Sequence, residues 1–370
     1  MTMSDFMQNN FIRERVIPLI RDVVDPHTGQ PLLVLEAISD IQQAKNKLII
    51  SITLGYPSAD VQQLLSEQLW ASLTVLDEVD AIEVDLGWRA PTNVVIDNQP
   101  LLAKVANIVA VASGKGGVGK STTTVNLALA MAALGARVGI VDADIYGPSQ
   151  PQMLGVGSQR PEVREQKMML PIEAHGVKSM SMGYLVNERT PMVWRGPMAS
   201  GALQQLLFQT DWQDLDYLFV DMPPGTGDIQ LTLSQQVPVS AAVIVTTPQD
   251  IALLDAKKAI EMFTKVNVPI SGIVENMAVH QCSQCGHSEH IFGEGGGERI
   301  AQDYGVPLLG ALPLALSIRE QADSGQPTVV SEPEGDVTEQ YKAIARRIAV
   351  GLWQQHLQAA AAPTIVVTDD

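Results

Sequence analysis

The chain has 370 residues, of which 46% are hydrophobic, and its formal net charge at pH 7 is −17. This length is too great for one ordinary domain and suits two, with enough apolar residues for sizeable cores. The negative charge disfavours a general binder of nucleic acid or of anionic membranes, so we expect neither as a partner. The sequence shows no signal pattern, no apolar run of about 18 residues and no disulfide framework among its two cysteines, so we expect a cytoplasmic protein.

The first segment, residues 1–92, is predicted to be a small α+β domain. Phe11–Val24 is amphipathic, "PLLVLEAIS" and "KLIISITLGYP" favour strands, Val61–Leu76 has leucines at helical spacing, and "AIEVDLGW" alternates as a strand does. The order helix, strand, strand, helix, strand predicts a sheet covered on one face. The stretch "RAPTNVVIDNQP" contains prolines and marks the expected linker, placed at 93–104.

A second domain, predicted over residues 105–357, alternates strand-like and helical patterns. Its strand-like runs are rich in valine, isoleucine and alanine, which is typical of strands buried on both faces of a sheet. They lie at 107–113, 138–143, 216–221, 241–247, 270–275 and 307–312. The pattern predicts an α/β fold with a doubly wound, mainly parallel sheet. A last helical pattern spans Val337–Leu357, and residues 358–370 are expected to form a flexible tail.

The first strand of this domain runs into a glycine-rich loop and then into a helical pattern. Glycines let several N–H groups face one centre, and the N-terminus of the following helix adds further donors there. Gly114, Gly119, Lys120 and Ser121 occupy the fixed positions of the P-loop, which favours a phosphate cradle over a plain glycine-rich turn. The expected cradle is Gly114, Lys115, Gly116, Gly117, Val118, Gly119, Lys120, Ser121 and Thr122. Lys120 should reach the phosphates of ATP and Ser121 should ligate Mg²⁺; as the cradle should be exposed, replacing Lys120 should leave the fold intact.

Polar residues follow three later strands at their carboxyl ends, where the ligand crevice of such a sheet lies. Asp142 and Asp144 end the first of these strands, and one carboxylate should hold a magnesium-bound water while the other orients the attacking water. Asp221 ends the next strand, with Gly225 four residues on, and the upstream P-loop makes a metal site a better interpretation than a helix cap. Asn276 ends a third strand, where its amide is placed to bind the base, although asparagine is also a common turn former there.

These stretches resemble a known family. "KGGVGKS" is similar to the deviant Walker A motif of the MinD, ParA and nitrogenase iron protein class, in which the earlier lysine, here Lys115, contacts the nucleotide of the facing subunit. The resemblance therefore implies a homodimer enclosing two ATP molecules. "DADIYGPSQPQMLG", "MVWRGPMAS", "DMPPGTGDIQLTL", "TTPQDIALLDAKKAI" and "IVENMAVHQCSQCGH" resemble the Mrp/ApbC iron–sulfur cluster carriers more closely still. By that resemblance Asp144 is the switch I aspartate, Asp221 the Walker B aspartate and Asn276 the adenine contact, and the catalytic set is Lys115, Lys120, Asp144 and Asp221.

The N-terminal segment is similar, more loosely, to the small iron–sulfur assembly domain that often precedes these carriers. "VVDPHTGQPLL" and "SITLGYPSAD" carry the similarity. That domain commonly has a cysteine in the loop occupied here by "LGYPSAD", whereas this chain has none before Cys282. A docking role is therefore expected for the N-terminal domain rather than direct cluster chemistry.

Cys282 and Cys285 are the only cysteines of the chain. A CxxC followed by glycine is typical of a metal knuckle, but two thiolates cannot complete a four-coordinate site. A second CxxC from a facing chain would give four ligands, enough for a bridging [4Fe–4S] cluster. The P-loop lysine Lys115 and the cysteine pair thus both indicate a dimer, and the resemblance supports the cluster.

Other interpretations of the cysteine pair stay open at this point. Zinc bound by both cysteines and two of His280, His287 and His290 is possible within one chain. A thiol–disulfide couple usually lies in a thioredoxin-like unit, which the surrounding pattern does not predict, and Gly286 replaces the histidine of a c-type haem motif. Two idle cysteines in a surface loop are the remaining alternative.

The sequence thus predicts a homodimeric ATPase that uses ATP and Mg²⁺, carries a labile [4Fe–4S] cluster and transfers it to apoproteins, with scaffold proteins as further candidate partners. A MinD/ParA-like positioning ATPase without a cluster is the alternative, but it would need a basic surface or a membrane helix. An electron-transfer ATPase like the nitrogenase iron protein would use single, widely spaced cysteines rather than a CxxC pair.

Overall fold

The computed structural model describes residues 9–94, 100–164, 168–185, 196–282 and 284–361. The chain folds into two compact units, one made of residues up to Pro91 together with those from Ala349 onward, the other of Thr92–Ile348. Parts of the expected linker (95–99) and of the expected tail (362–370) lie outside the described residues, as do residues 192–195 of "MVWRGPMAS".

The first unit is built on a three-stranded sheet of order β1-β2-β3. Its elements are helix α1 (π-helical over Ile12–Val16, α-helical over Ile17–Ile20), β1 (Ile38–Ala44), β2 (Lys47–Leu54), α2 (Gln62–Leu73) and β3 (Ala81–Trp88). β1 is antiparallel to β2, whereas β3 is parallel to it. Alternate residues of β2 are buried, as are Leu65, Leu69 and Leu73 on one face of α2, so the predicted order of elements and the predicted covered face are both present.

The stretch "PLLVLEAIS" forms a turn rather than most of a strand, so that part of the prediction is wrong. The amide of Leu35 donates to Pro31 O, and β1 begins only at Ile38. Leu32 and Leu35 are buried while Val34 is 67% exposed, a spacing of three that a β-strand with its period of two does not produce. The apolar content of the stretch therefore serves a buried turn.

The second unit contains an eight-stranded sheet of order β13-β10-β9-β4-β8-β5-β7-β6, together with a two-stranded hairpin, β11-β12. Its strands are β4 (Val105–Ala112), β5 (Val138–Asp142), β6 (Ile172–Ala174), β7 (Val177–Ser181), β8 (Leu215–Asp221), β9 (Ala241–Thr246), β10 (Ile270–Glu275), β11 (His280–Gln281), β12 (Ser288–Glu289) and β13 (Leu308–Ala311). Its helices are α3 (Lys120–Ala133), α4 (Gln150–Met153), α5 (Gly196–Phe208), α6 (Asp228–Gln236), α7 (Asp250–Lys265), α8 (Gly296–Tyr304), α9 (Leu316–Asp323) and α10 (Thr328–Ser331).

This architecture confirms the predicted fold class. The pairs within the large sheet are parallel except β6 with β7, and β4, β5, β8 and β9 are buried along almost their whole length. The six predicted runs match β4, β5, β8, β9, β10 and β13. Strands β7 and β6, at one end of the sheet, were not predicted, because "VKSMS" in β7 lacks a continuous apolar run and β6 has only three residues.

A final helix, α11 (Asp336–Ala361), begins in the second unit and ends in the first. The sequence pattern instead predicts that this helix belongs to the ATPase domain up to residue 357. Trp353 explains the difference, since its ring centroid lies 5.8 Å from that of Tyr56 and it is buried in the first unit. The neighbouring Gly55 has no room for a side chain, as a Cβ there would lie 2.1 Å from the Trp353 ring.

The register of the large sheet brings the predicted site residues to one edge. β8 pairs with both β4 and β5, and Asp221 at its end is opposite Val111 on one side and Asp142 on the other. The glycine-rich loop leaves β4 at that same edge. Strand order alone therefore assembles the loop and two of the predicted carboxylates.

Candidate functional site

The glycine-rich loop joins β4 to α3, and three of its positions require glycine, two through the backbone conformation and one through packing. Gly117 and Gly119 have φ values of +82° and +80°, which favour glycine. Gly114 is fixed by packing instead, since a Cβ there would lie 2.0 Å from the backbone oxygen of Asp255. Gly116 and Gly117 are exposed with open space beside them. The loop is thus anchored at both ends and open in the middle, as a phosphate cradle must be.

Lys120 is buried, contrary to the expectation of an exposed cradle. Its Nζ lies 2.5 Å from Asp221 Oδ1 and 3.0 Å from Ser121 Oγ. Lys120 is only 6% exposed and Asp221 is completely buried. The Walker-type lysine and the strand-end aspartate therefore form a buried ion pair, and replacing Lys120 alone would leave an unpaired charge.

Two residues that sequence analysis did not select complete the surroundings of Asp221. Thr124 Oγ1 donates to Asp221 Oδ1 at 3.1 Å, and Gln150 Nε2 donates to Oδ2 at 2.9 Å. Thr124 lies one helical turn after Lys120, so its position on α3 was a usable signal. Gln150 comes from α4, and nothing in the local sequence indicates that it reaches Asp221.

Asp142 is a buried acceptor. Its Oδ2 accepts hydrogen bonds from the amides of Ser149 (2.9 Å) and Gln150 (3.1 Å) and from Ser181 Oγ (3.1 Å). Burial, and secondarily the nearby charge of Asp221, raise the pKa of Asp142 to about 7. Its neighbour Asp144 is less buried and accepts from the amide of Gly147 at 3.2 Å, and burial raises its pKa as well. Asp142 therefore organises the loop after β5, while Asp144 stays more accessible.

Gly225 is tied to the start of the P-loop. Its amide donates to Ser113 O at 3.0 Å, and its φ of +98° favours glycine. Ser113 Oγ in turn donates to Lys115 O at 2.8 Å. The loop after β8 and the backbone of Lys115 are thus linked by two successive hydrogen bonds. In the described chain the Lys115 ammonium itself has neither a hydrogen bond nor an ion pair, and the residue is half-buried.

Asn276 lies between the P-loop and a cavity of about 210 Å³. Its Nδ2 donates to Val118 O at 2.9 Å, and its backbone amide donates to Thr246 O at 2.7 Å. The cavity is lined by Gly119 and Thr122 on the P-loop side and by a mostly apolar remainder that includes Met277, Pro313, Leu314, Ile318, Arg319 and Tyr341. A slot with apolar walls and few polar groups beside a phosphate cradle suits a nucleobase. The segment 313–323 was not predicted to contribute.

The donor set fits a nucleotide with Mg²⁺. The loop offers open backbone at Gly116 and Gly117 and an ammonium at Lys120. The oxygens near that ammonium are the Ser121 hydroxyl and the carboxylates of Asp221 and Asp144, and a hard cation such as Mg²⁺ prefers oxygen ligands. The predicted phosphate, metal and base residues thus lie along one edge of the sheet.

Cys282 and Cys285 lie in the loop of the β11–β12 hairpin, where Cys285 is exposed. The amide of Cys282 donates to His287 O, and that of Gly286 donates to Cys282 O, both at 2.8 Å. Backbone N–H groups of Gln284 and then of Cys285, with a further hydrogen bond from the Cys285 thiol, lower the pKa of Cys282. Donors aimed at a sulfur favour the thiolate, the form that binds metal. The hairpin is therefore shaped as a two-thiolate knuckle.

The histidines near this hairpin are partly engaged elsewhere. His280 Nδ1 lies 3.1 Å from Leu314 O, and His290 Nδ1 lies 2.8 Å from Ala278 O. Among the described residues no group of three or more His, Cys, Asp or Glu side chains is arranged to hold a metal ion. Two histidines of the zinc alternative, His280 and His290, thus anchor the hairpin to neighbouring backbone.

Comparisons with known proteins agree with this geometry. The family described as "NUBPL iron-transfer P-loop NTPase" matches residues 104–349, and a family described as "Iron-sulfur cluster assembly protein" matches residues 13–85. None of the helices in the described ranges combines the length and apolar content needed to cross a bilayer.

Relatives and a solved structure show the same similarity. The chain is 51% identical to the "Iron-sulfur cluster carrier protein" of Escherichia coli K12 over 344 residues, which covers 93% of each chain. It is 60% identical to a protein of the same name from Pseudomonas fragi over 77% of this chain and 100% of that one. A nucleotide-binding protein from Archaeoglobus fulgidus, solved in complex with ADP, is 37% identical and aligns over 65% of this chain and 93% of that one, with a TM-score of 0.57.

Proposed function

The chain belongs to the family of iron-transfer P-loop NTPases and iron–sulfur cluster carriers, and from that premise we propose that it hydrolyses ATP as a homodimer while carrying a [4Fe–4S] cluster to apoproteins. The cluster is cargo rather than a resident cofactor. The expected cytoplasmic location, scaffold partners, division into domains and docking role of the first unit stay predictions beside this proposal.

One observation carries the proposal: the second unit holds a phosphate cradle and an accessible pair of thiols together. Two thiolates per chain leave a cluster half-ligated, whereas two chains supply the four ligands that a [4Fe–4S] cluster takes. Lys115 supports the same stoichiometry, since its ammonium has no partner among the described residues and is available to a nucleotide in a facing chain.

The site residues have complementary roles in hydrolysis. Lys120 exchanges Asp221 for the phosphates, which frees Oδ1 of the carboxylate toward the metal site. Asp144, the more accessible carboxylate, orients the attacking water and takes its proton as the bond to the γ-phosphorus forms and the β–γ bridge breaks. Mg²⁺, held by Ser121 and by waters on Asp221, would neutralise charge that develops on the phosphates.

A short path connects the base cavity to the cysteine hairpin. Leu314 lines the cavity, and its carbonyl lies 3.1 Å from His280 Nδ1 while its amide donates to Val279 O. His280 is the first residue of β11. Occupation of the cavity is therefore expected to act on the backbone that anchors the hairpin, which would couple nucleotide state to cluster binding.

The positioning-ATPase alternative is not favoured. The high identity to cluster carriers extends across 93% of the chain, and the cysteine knuckle has no use in a metal-free switch.

Anaerobic reconstitution with iron and sulfide tests the proposal. The dimer should bind about four irons, elute as a dimer on a sizing column and activate an apoprotein. Cys282→Ser or Cys285→Ser should abolish stable cluster binding and transfer, while most ATP turnover should remain because the cradle uses different elements.

His287→Ala is the matched control from the same hairpin. Under the bridging-cluster proposal it should bind iron normally, whereas an intrachain Cys/His site would lose affinity. Iron held tightly by monomers, or zinc with undiminished transfer activity, would refute the bridging cluster.

A further inference from the structure

One buried side chain at the nucleotide site has a polar atom left without a partner. Gln150 is 1% exposed, and its Nε2 donates to Asp221 Oδ2 at 2.9 Å and to Ser121 O at 3.1 Å. Both acceptors are oxygens, so this end of the amide must be the nitrogen. The other end, Oε1, is buried and has no hydrogen-bond partner in the part of the chain that the structure describes.

An unpaired buried acceptor calls for an explanation, because native proteins pair such atoms with protein groups, water or ligands. Oε1 is separated from Nε2 by only the amide carbon. Oε1 shares that carbon with Nε2, whose two acceptors belong to Asp221 and Ser121, the residues expected to hold Mg²⁺. The residue is therefore placed to accept from a donor in that space.

The amide also determines how Asp221 responds when nucleotide arrives. Oδ1 of Asp221 accepts from Lys120 and Thr124, while Oδ2 accepts from Gln150. If a phosphate draws Lys120 away, Oδ1 loses its charged donor but Oδ2 is still held. Gln150 thus keeps the carboxylate in one orientation through the exchange.

We propose that Gln150 is a positioning residue for the magnesium site: its Nε2 orients Asp221 and the Ser121 backbone, and its Oε1 accepts a hydrogen bond from a water molecule on the ion. This deepens the proposed ATPase function and rests on it.

Gln150→Met tests the proposal, since methionine has similar length and no hydrogen-bonding groups of that strength. The affinity of a fluorescent ADP analogue should be unchanged without metal. The Mg²⁺ concentration that gives half of the metal-dependent increase in affinity should rise about tenfold, the equivalent of one hydrogen bond to a charged system. In turnover, kcat should fall while KM for ATP changes little.

Gln152→Met is the matched control, because Gln152 lies on the same short helix but is exposed; it should behave as wild type. A second measurement uses the wild-type protein and so does not depend on the folding of a variant. In the wild-type ADP complex, the side-chain amide resonance of Gln150 should shift when Mg²⁺ is added.

Equal loss of ADP affinity with and without Mg²⁺ would indicate a merely structural role and overturn the proposal, as would a wild-type Mg²⁺ dependence in Gln150→Met or an unmoved amide resonance. Absence of phosphate release from the wild type would instead refute the ATPase function, and the Mg²⁺ titration with ADP would still decide the role of Gln150.

Discussion

Because Lys120 forms an ion pair with Asp221, this one lysine affects both nucleotide binding and the stability of the fold. The two charges of the pair are removed from water, and the mutual attraction largely offsets that desolvation, so the pair as a whole adds little to stability. Loss of one partner is different, because the other charge then stays buried alone. Polyphosphate competes with Asp221 for the same ammonium, so nucleotide binding replaces one anion by another at Lys120.

Lys120→Ala should abolish phosphate release and also lower the free energy of unfolding by roughly 3 kcal/mol, since Asp221 is left unpaired. Steady-state phosphate release and urea unfolding measure the two effects. Adding Asp221→Asn should recover much of the stability without recovering activity. Near-wild-type turnover in the single variant would contradict the assignment of the cradle.

The residues of the phosphate site were predictable where the signal is local. Glycines at positive φ and the lysine at the helix start have fixed spacing in the sequence, and strand-end aspartates follow apolar runs. Gln150 was not predictable, because its importance comes from reaching Asp221, which lies 71 residues away in sequence. The burial of Lys120 was also not predicted, because the P-loop motif does not indicate that the lysine forms an ion pair with Asp221.

Among the elements, buried parallel strands were predicted well, whereas β7 and β6 at one end of the large sheet were not predicted. β4, β8 and β9 are nearly continuous apolar runs, a pattern typical of strands buried on both faces of a sheet. β7 has the sequence "VKSMS" and β6 is three residues long, so neither strand differs enough in apolar content from its flanking residues to be predicted. The turn at "PLLVLEAIS" is a different case. Its apolar residues are buried, as their hydrophobicity predicts, but the backbone conformation of the segment depends on contacts with residues outside it.

The last turns of α11 are an integral part of the first unit, and Trp353→Ala tests this. Removing the buried ring should leave a cavity and destabilise the unit by about 3–5 kcal/mol. Amide hydrogen exchange of β2 should speed up accordingly, while that of β4 and β9 in the second unit should change little.

Trp70→Ala is the control for this measurement, because Trp70 is 45% exposed on α2 and its loss should leave β2 protected. Gly55→Ala should act in the same direction as Trp353→Ala, since the new Cβ overlaps the ring. Unchanged protection of β2 in both variants would contradict the assignment of α11 to this unit.

At the scale of the whole molecule, variants of the two P-loop lysines test whether each ATP site of the dimer is built from residues of both chains. Lys115→Ala should impair hydrolysis although Lys115 lies outside the minimal P-loop pattern. If the lysine acts across the interface, mixing Lys115→Ala chains with Lys120→Ala chains rebuilds one complete site in each mixed dimer. Random pairing then leaves about one site in four active.

Phosphate release from the equimolar mixture measures this directly, with each variant alone as the control. Activity no greater than the mean of the separate variants would place Lys115 in its own subunit's site. Full activity of Lys115→Ala by itself would remove the lysine from the mechanism.

The division of α11 between the units also sets an order of events during biosynthesis. The sheet of the first unit precedes the second unit along the chain, but the helix that carries Trp353 leaves the ribosome only after the entire second unit has been made. At ribosomal rates that interval is on the order of 10–50 s. Throughout it, the Trp353 ring that packs beside Gly55 and Tyr56 is missing, so the first unit is completed only after the second unit has been synthesised.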